Sequence, residues 1–133
     1  MAGFELISFP LYEAESGTLS VYEQGAGLRF DVKRVYCITQ LNPGSTRGHH
    51  AHRELQQIVV CLSGSCVFTL DDGTERVDIP LSSPSTGLYL SGRIWREMSE
   101  FTSNCVLMVM TDAVYSEADY IRDYETFLEE VKN

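Results

Sequence analysis

Apolar and polar residues alternate with period two along several short stretches of this chain, the spacing of half-buried strands. Val32-Lys33-Arg34-Val35-Tyr36-Cys37-Ile38-Thr39 is one such stretch, rich in β-branched and aromatic residues, and Asn42-Pro43-Gly44-Ser45 breaks it. Gln57 to Cys61 predicts a strand, Ser63-Gly64-Ser65 a turn, and Cys66-Val67-Phe68-Thr69-Leu70 the returning strand. Asp71-Asp72-Gly73 is a tight-turn signal leading into a strand over Glu75 to Pro80. Gly87 to Leu90 and Cys105 to Met110 complete the set. Helix is expected only near the end. Ser116 could cap a segment opening Glu117-Ala118-Asp119, and Tyr124 to Val131 has helical apolar spacing. Regularly spaced short antiparallel strands predict an all-β sandwich or barrel, and barrels often hold a small ligand in the mouth.

Composition narrows the classes. The 133 residues predict one domain over residues 1–133 with one sizeable core, and 44% apolar content is ordinary for a folded chain. Ten basic residues against 19 acidic ones give a net charge of −9, which argues against nucleic acid as a partner. A small anion remains compatible, because a few arginines can converge locally. No apolar run approaches the ~20 residues of a membrane span, and the first residues lack a secretory pattern. Cys37, Cys61, Cys66 and Cys105 have no CxxC spacing and sit in strand-like runs. The expectation is a reduced, cytoplasmic protein with buried thiols.

The candidate chemistry is concentrated in Arg47-Gly48-His49-His50-Ala51-His52, which contains all three histidines. In a strand, His50 and His52 share one face and His49 takes the other. Two adjacent imidazoles could be metal ligands, an acid/base pair, or an accident. The spacing Gly44-x5-His50-x-His52-x4-Gln57-x6-Gly64 resembles the first cupin motif, with Gln57 where that motif carries Glu. The resemblance implies a double-stranded β-helix, or jelly-roll barrel, with a short C-terminal helical segment. The odd separation of His52 and Gln57 requires a bulge or a turn if both face inward. Metal cupins add a second-motif histidine, and that position falls at Arg96, which cannot ligate a cation. No metal site is therefore expected, Glu97 and Glu54 being the carboxylates that could still complete one.

A longer series of motifs is more specific. Lys33-Arg34-Val35-Tyr36, the histidine segment, Cys61 to Cys66, Leu70 to Gly73, Ile94-Trp95-Arg96-Glu97-Met98 and Asp119-Tyr120-Ile121-Arg122-Asp123-Tyr124 together resemble the WxcM-like nucleotide-sugar 3,4-ketoisomerases. The resemblance runs from about Lys33 to Phe127. It implies isomerisation of dTDP-4-keto-6-deoxyglucose to a 3-keto sugar for deoxysugar biosynthesis, without metal or other cofactor, in a homodimer. Carried over by motif, His50 and His52 are the paired histidines and Tyr36 the nearby phenol.

The chemistry suits those residue types. Moving the ketone requires loss of the C3 proton, an enediol, delivery of a proton to C4, and transfer of a hydroxyl proton between the two oxygens. One of His50 and His52 would act at carbon and the other at oxygen. Arg34 and Arg47 are candidates for the pyrophosphate, or else surface ion-pair partners. Gln57 would hydrogen-bond the sugar, orient a histidine, or be a satisfied buried amide, and Tyr36 could simply pack. His49 is expected to be structural and Trp95 to fill core volume. Arg96, placed with the substrate, is a poor proton donor where many relatives carry histidine, which favours the gluco over the galacto product. The competing readings are a non-catalytic nucleotide-sugar-binding cupin, a 3,5-epimerase and a metal-dependent enzyme. Phe4 to Leu11 is the apolar segment that could pair with another chain's sheet edge.

Overall fold

The computed structural model describes residues 1–132. Twelve strands, a 3₁₀ turn and one α-helix follow in order. They are β1 (Phe4–Ser8), β2 (Leu11–Ala14), β3 (Gly17–Ser20), β4 (Arg34–Ile38), β5 (Arg47–His52), β6 (Gln57–Ser63), β7 (Cys66–Asp71), β8 (Arg76–Leu81), β9 (Thr86–Leu90), β10 (Trp95–Ser99), β11 (Val106–Thr111), the turn at Glu117–Asp119, β12 (Tyr120–Ile121) and α1 (Tyr124–Val131). Two five-stranded antiparallel sheets, ordered β1-β9-β6-β11-β4 and β12-β5-β10-β7-β8, form the walls of a jelly-roll barrel, as the strand spacing and the motif resemblance imply. A separate hairpin, β2–β3, stands beside them.

Strand β6 carries the clearest sequence logic. Val59 and Cys61 face a core shared with Phe68, Leu70, Leu88 and Leu107. Ile58 and Val60 face the other way, against Phe9 and Met110. A run with no polar alternation is what a strand covered on both sides requires. The outer cover is the segment holding Tyr22, Leu28, Phe30 and Val32. At Gly87 a Cβ would lie 2.5 Å from the Phe9 ring, so only glycine admits that cover. A third cluster docks α1 on the opposite sheet. Phe127, fully buried, packs 5.7 Å from the Trp95 ring, and its truncation to alanine would cost about 3–5 kcal/mol.

Some local expectations are revised. The segment from Phe4 to Leu11 breaks at Phe9-Pro10, and its first half pairs with β9 of its own chain, from Phe4↔Leu90 to Ser8↔Thr86. Ser116 makes no side-chain cap, and the turn after it is three residues of 3₁₀ helix. The capping residue is Asp123, whose carboxylate accepts from the Thr126 N–H at 3.0 Å and starts α1. Cys61, Cys66 and Cys105 are buried as expected, but Cys37 is exposed. The sheet face outside β4 explains it: Tyr36 points in, and its neighbours point out.

Candidate active site

The edge strand β4 of one sheet and the strands β5 and β12 of the other bound a cleft of about 750 Å³. Arg34, Tyr36, Arg47, His50, Tyr120 and Arg122 are among its lining residues. Gln57, Arg96 and His50 line its inner end, with Phe68, Met98 and Val109. A second cavity of about 310 Å³ shares Arg34 and Tyr120 with it and holds His52 and Asp119.

His50 and His52 lie on one side of β5 with ring centroids 4.9 Å apart. Alternation across Ala51 places both there, as expected, and a bulge precedes the pair. The pairing of β10 with β5 shifts between Arg96↔His50 and Glu97↔Gly48, leaving His49 bulged at φ +53 after Gly48 at φ +88. A Cβ on Gly48 would sit 2.9 Å from the Arg96 carbonyl oxygen, so the bulge needs glycine. The bulge therefore lies before His50. Between His52 and Gln57 the chain instead turns from one sheet to the other. His49 faces out, half exposed, with Thr46 Oγ1 2.9 Å from its Nε2 and Glu97 3.9 Å from its Nδ1.

The hydrogen bonds fix both tautomers. His52 Nδ1 lies 2.9 Å from an Asp119 carboxylate oxygen, and His50 Nδ1 lies 3.0 Å from the Gly48 carbonyl. Neither oxygen can donate, so both Nδ1 atoms carry the proton and both Nε2 atoms present a lone pair. His52 Nε2 is buried and has no hydrogen-bond partner among the described residues. Burial, then the Arg96 charge, pulls His50 down to about 3 despite the Gly48 carbonyl. The same causes bring His52 to about 4 despite the opposing Asp119 carboxylate. Burial alone would raise Asp119, but the Glu54 N–H at 2.7 Å and His52 outweigh it and lower the carboxyl.

Arg96 is 3% exposed and forms no ion pair among the described residues. Its guanidinium donates to Gln57 Oε1 and, at 2.9 Å, to the Ile94 carbonyl oxygen. Burial lowers it to about 10, which leaves it a cation at neutral pH. The other face of the Gln57 amide reaches Tyr36, whose Oη lies 3.5 Å from Nε2. Burial, then the neighbouring Tyr120, pushes the Tyr36 phenol up. Arg34 lies 4.6 Å from the Tyr36 ring and 5.4 Å from the Tyr115 ring, and Arg47 is exposed on the cleft wall.

The seven residues singled out from sequence thus fall in one region, six of them on the cleft or its inner end and His52 against them. This donor set does not fit a metal ion. A guanidinium held to Gln57 stands where further ligands would be needed, and Glu97 points to the outer face, accepting from Trp95 Nε1 at 2.9 Å. Among the described residues no group of three or more His, Cys, Asp or Glu is placed to hold one. Trp95 fills core volume as expected, between Tyr124 and Phe127. Asp119, Tyr120 and Arg122 are site residues that sequence reasoning assigned no role. Tyr120 sits 5.0 Å from His50 and 4.4 Å from His52. Their one sequence signal is the Asp119 to Tyr124 motif, since Asp119 is 67 residues from His52 and only the fold joins them.

Comparison with known proteins agrees with this geometry. A family model described as FdtA, WxcM-like, C-terminal, matches residues 2–132. The TDP-4-oxo-6-deoxy-alpha-D-glucose-3,4-oxoisomerase of Aneurinibacillus thermoaerophilus is 42% identical over 123 residues, covering 92% of this chain and 88% of that protein. The 3,4-ketoisomerase QdtA of Thermoanaerobacterium thermosaccharolyticum, solved in complex with TDP, superposes with a TM-score of 0.96 at 40% identity, over 99% of this chain and 96% of that one. A 3,4-ketoisomerase from Helicobacter canadensis superposes at 0.93 with 35% identity, over 98% of each chain. With two interior-facing histidines, a buried arginine and a match along almost its entire length, this chain belongs to the FdtA, WxcM-like family of cupins.

Proposed function

We propose that this protein is a 3,4-ketoisomerase acting on a dTDP-linked 4-keto-6-deoxyhexose. The observation that carries the reading is the pairing of two neutral imidazoles, Nε2 lone pairs available, with a buried guanidinium that has no carboxylate partner among the described residues. The reaction moves two protons, one from C3 to C4 and one from O3 to O4, and two imidazoles with ring centroids 4.9 Å apart suit two transfers. Loss of the C3 proton places negative charge on the C4 oxygen, and Arg96, with Tyr36 as a phenolic donor, stabilises it. The Arg96 charge holds both histidines below their usual range. An oxyanion beside Arg96 cancels part of that field, so the imidazoles gain basicity as the proton is taken. Asp119 orients His52 and stabilises its imidazolium. Arg34 and Arg47 meet the diphosphate, which gives an acidic chain its local affinity for an anion.

Arginine rather than a second acid at position 96 favours retention at C4 and the 3-keto-6-deoxyglucose product. The working unit is proposed to be a homodimer, and β1, as an outer strand of its sheet, keeps one edge for a second copy.

Metal-stripped protein incubated with dTDP-4-keto-6-deoxyglucose in D₂O, followed by NMR, tests the reading. A 3-keto product is expected, with deuterium at C4 wherever the abstracted proton exchanges before delivery, and with the H4–H5 coupling of the gluco sugar. Unchanged substrate would leave a nucleotide-sugar-binding protein, and exchange at C3 and C5 an epimerase.

A further inference from the structure

Arg122 differs from the other arginines of the cleft. It lines the same cavity as Arg34 and Arg47, yet its guanidinium already holds an anion. Its Nε and Nη2 donate to the two Glu117 carboxylate oxygens at 2.7 and 2.9 Å. Glu117 also accepts the Tyr115 hydroxyl, and Arg122, then Tyr115, holds its carboxyl down at about 2. The Arg122 guanidinium lies 4.1 Å from the Tyr120 ring, the ring that contacts both catalytic histidines. Two parallel N–H donors on two oxygens is also the geometry in which arginine takes a phosphate.

We propose that Glu117 is an internal stand-in for the diphosphate of the ligand: a nucleoside diphosphate entering the cleft takes Arg122 from Glu117, which thereby sets the affinity of the cleft for its anion. The inference rests on the nucleotide-sugar reading above. Side-chain exposures of 53% for Arg122 and 58% for Glu117 make the exchange accessible. An exposed pair of this kind contributes little, being solvated and screened, whereas a diphosphate brings more charge and meets Arg34 and Arg47 in the same cleft. Both Tyr115 and Glu117 belong to the connection between β11 and β12, which is exposed from Ala113 to Ala118, so this segment can shift without uncovering the core. Glu117 is thus a positioning residue for Arg122.

The test is calorimetric titration of dTDP into the wild-type protein, Glu117→Gln, Arg122→Gln and the double variant. Glu117→Gln is expected to bind about threefold tighter and Arg122→Gln about tenfold weaker. In the Arg122→Gln background the Glu117 change should alter binding by less than about twofold. Unchanged or weaker binding by Glu117→Gln overturns the proposal. So does a gain that persists without Arg122, because that gain would come from the general field alone. Turnover of the keto sugar is a separate readout. A protein that couples these residues to dTDP binding but does not isomerise the sugar removes the isomerase reading and leaves the role of Glu117 standing.

Discussion

Arginines on the two sides of the second sheet are treated in opposite ways. Beneath α1 each one is answered by a carboxylate. Arg76 meets Asp71 at 2.9 Å and Glu97 at 3.4 Å, and Arg53 and Arg93 meet Glu130 at 2.7 and 3.5 Å. In the cleft only Arg122 is paired, with Glu117 at 2.7 Å, while Arg34, Arg47 and Arg96 form no ion pair among the described residues, although the chain carries 19 acidic residues. The buried Asp71 on the helix side also accepts from Tyr124 at 2.6 Å and from the Gly73 N–H at 2.7 Å, a closed network. The contrast separates two uses of charge. One side ties a helix to a sheet, and the other keeps three of its four arginines without a carboxylate among the described residues, which at the buried Arg96 costs stability unless an anion arrives.

That contrast can be broken by mutation. The largest effect is expected from His50→Asn and His52→Asn, each lowering turnover by about 10²–10⁴-fold while the melting temperature changes little. Retained turnover in either variant would remove the two-proton scheme. Arg96→Met comes next, with turnover down about 10²–10³-fold and thermal stability equal to or above the parent, because a desolvated cation is replaced by an apolar chain. An active but destabilised Arg96→Met protein would mean that the arginine is structural.

The pH dependence follows from the same field. Both histidines titrate below the ~6.5 of the unfolded chain, at about 3 and about 4. The unfolded state therefore binds protons first as pH falls, so stability is full above about pH 6.5 and declines towards pH 4. Urea unfolding at pH 7.5 and pH 5 should show that loss, and the double His50→Asn/His52→Asn variant should flatten it. The free-enzyme kcat/KM should pass pH 6.5 without an inflection. The smallest effect belongs to the other side: Arg76→Ala is expected to cost about 1–3 kcal/mol of stability, by exposing the need of buried Asp71, with turnover kept. Loss of activity there would blur the division between the two sides.

The strands with clean alternation or turn punctuation were legible in the chain. Those at β4, β6, β7, β8, β9 and β11 fall within a residue or two of the expected spans, and the helix over Tyr124–Val131 matches. The two-residue β12 and the hairpin β2–β3 carry too few apolar positions for a period to register; β2 and β3 are almost wholly exposed. Strand β10 reads as an apolar-charged mixture because Trp95 serves the helix interface while Arg96 enters the site. The site residues from motifs were accessible because each lies in a short recognisable string. Asp119 was recognisable as a motif member but not as the partner of His52, since nothing local specifies a contact between distant segments.

What the sequence by itself determined is the set of chemical capacities: strands from period-two patterning, three histidines in four residues, an amide and a guanidinium where a metal cupin places ligands. What only tertiary structure decided is the state of those groups. The bulge at Gly48–His49 sets His49 apart from the pair, the Asp119 carboxylate and the Gly48 carbonyl choose the tautomers of His52 and His50, and burial beside Arg96 keeps both neutral. Residue identity travels with the chain, but a proton's position depends on dielectric, charge and hydrogen-bond partners, which exist only once distant strands have met.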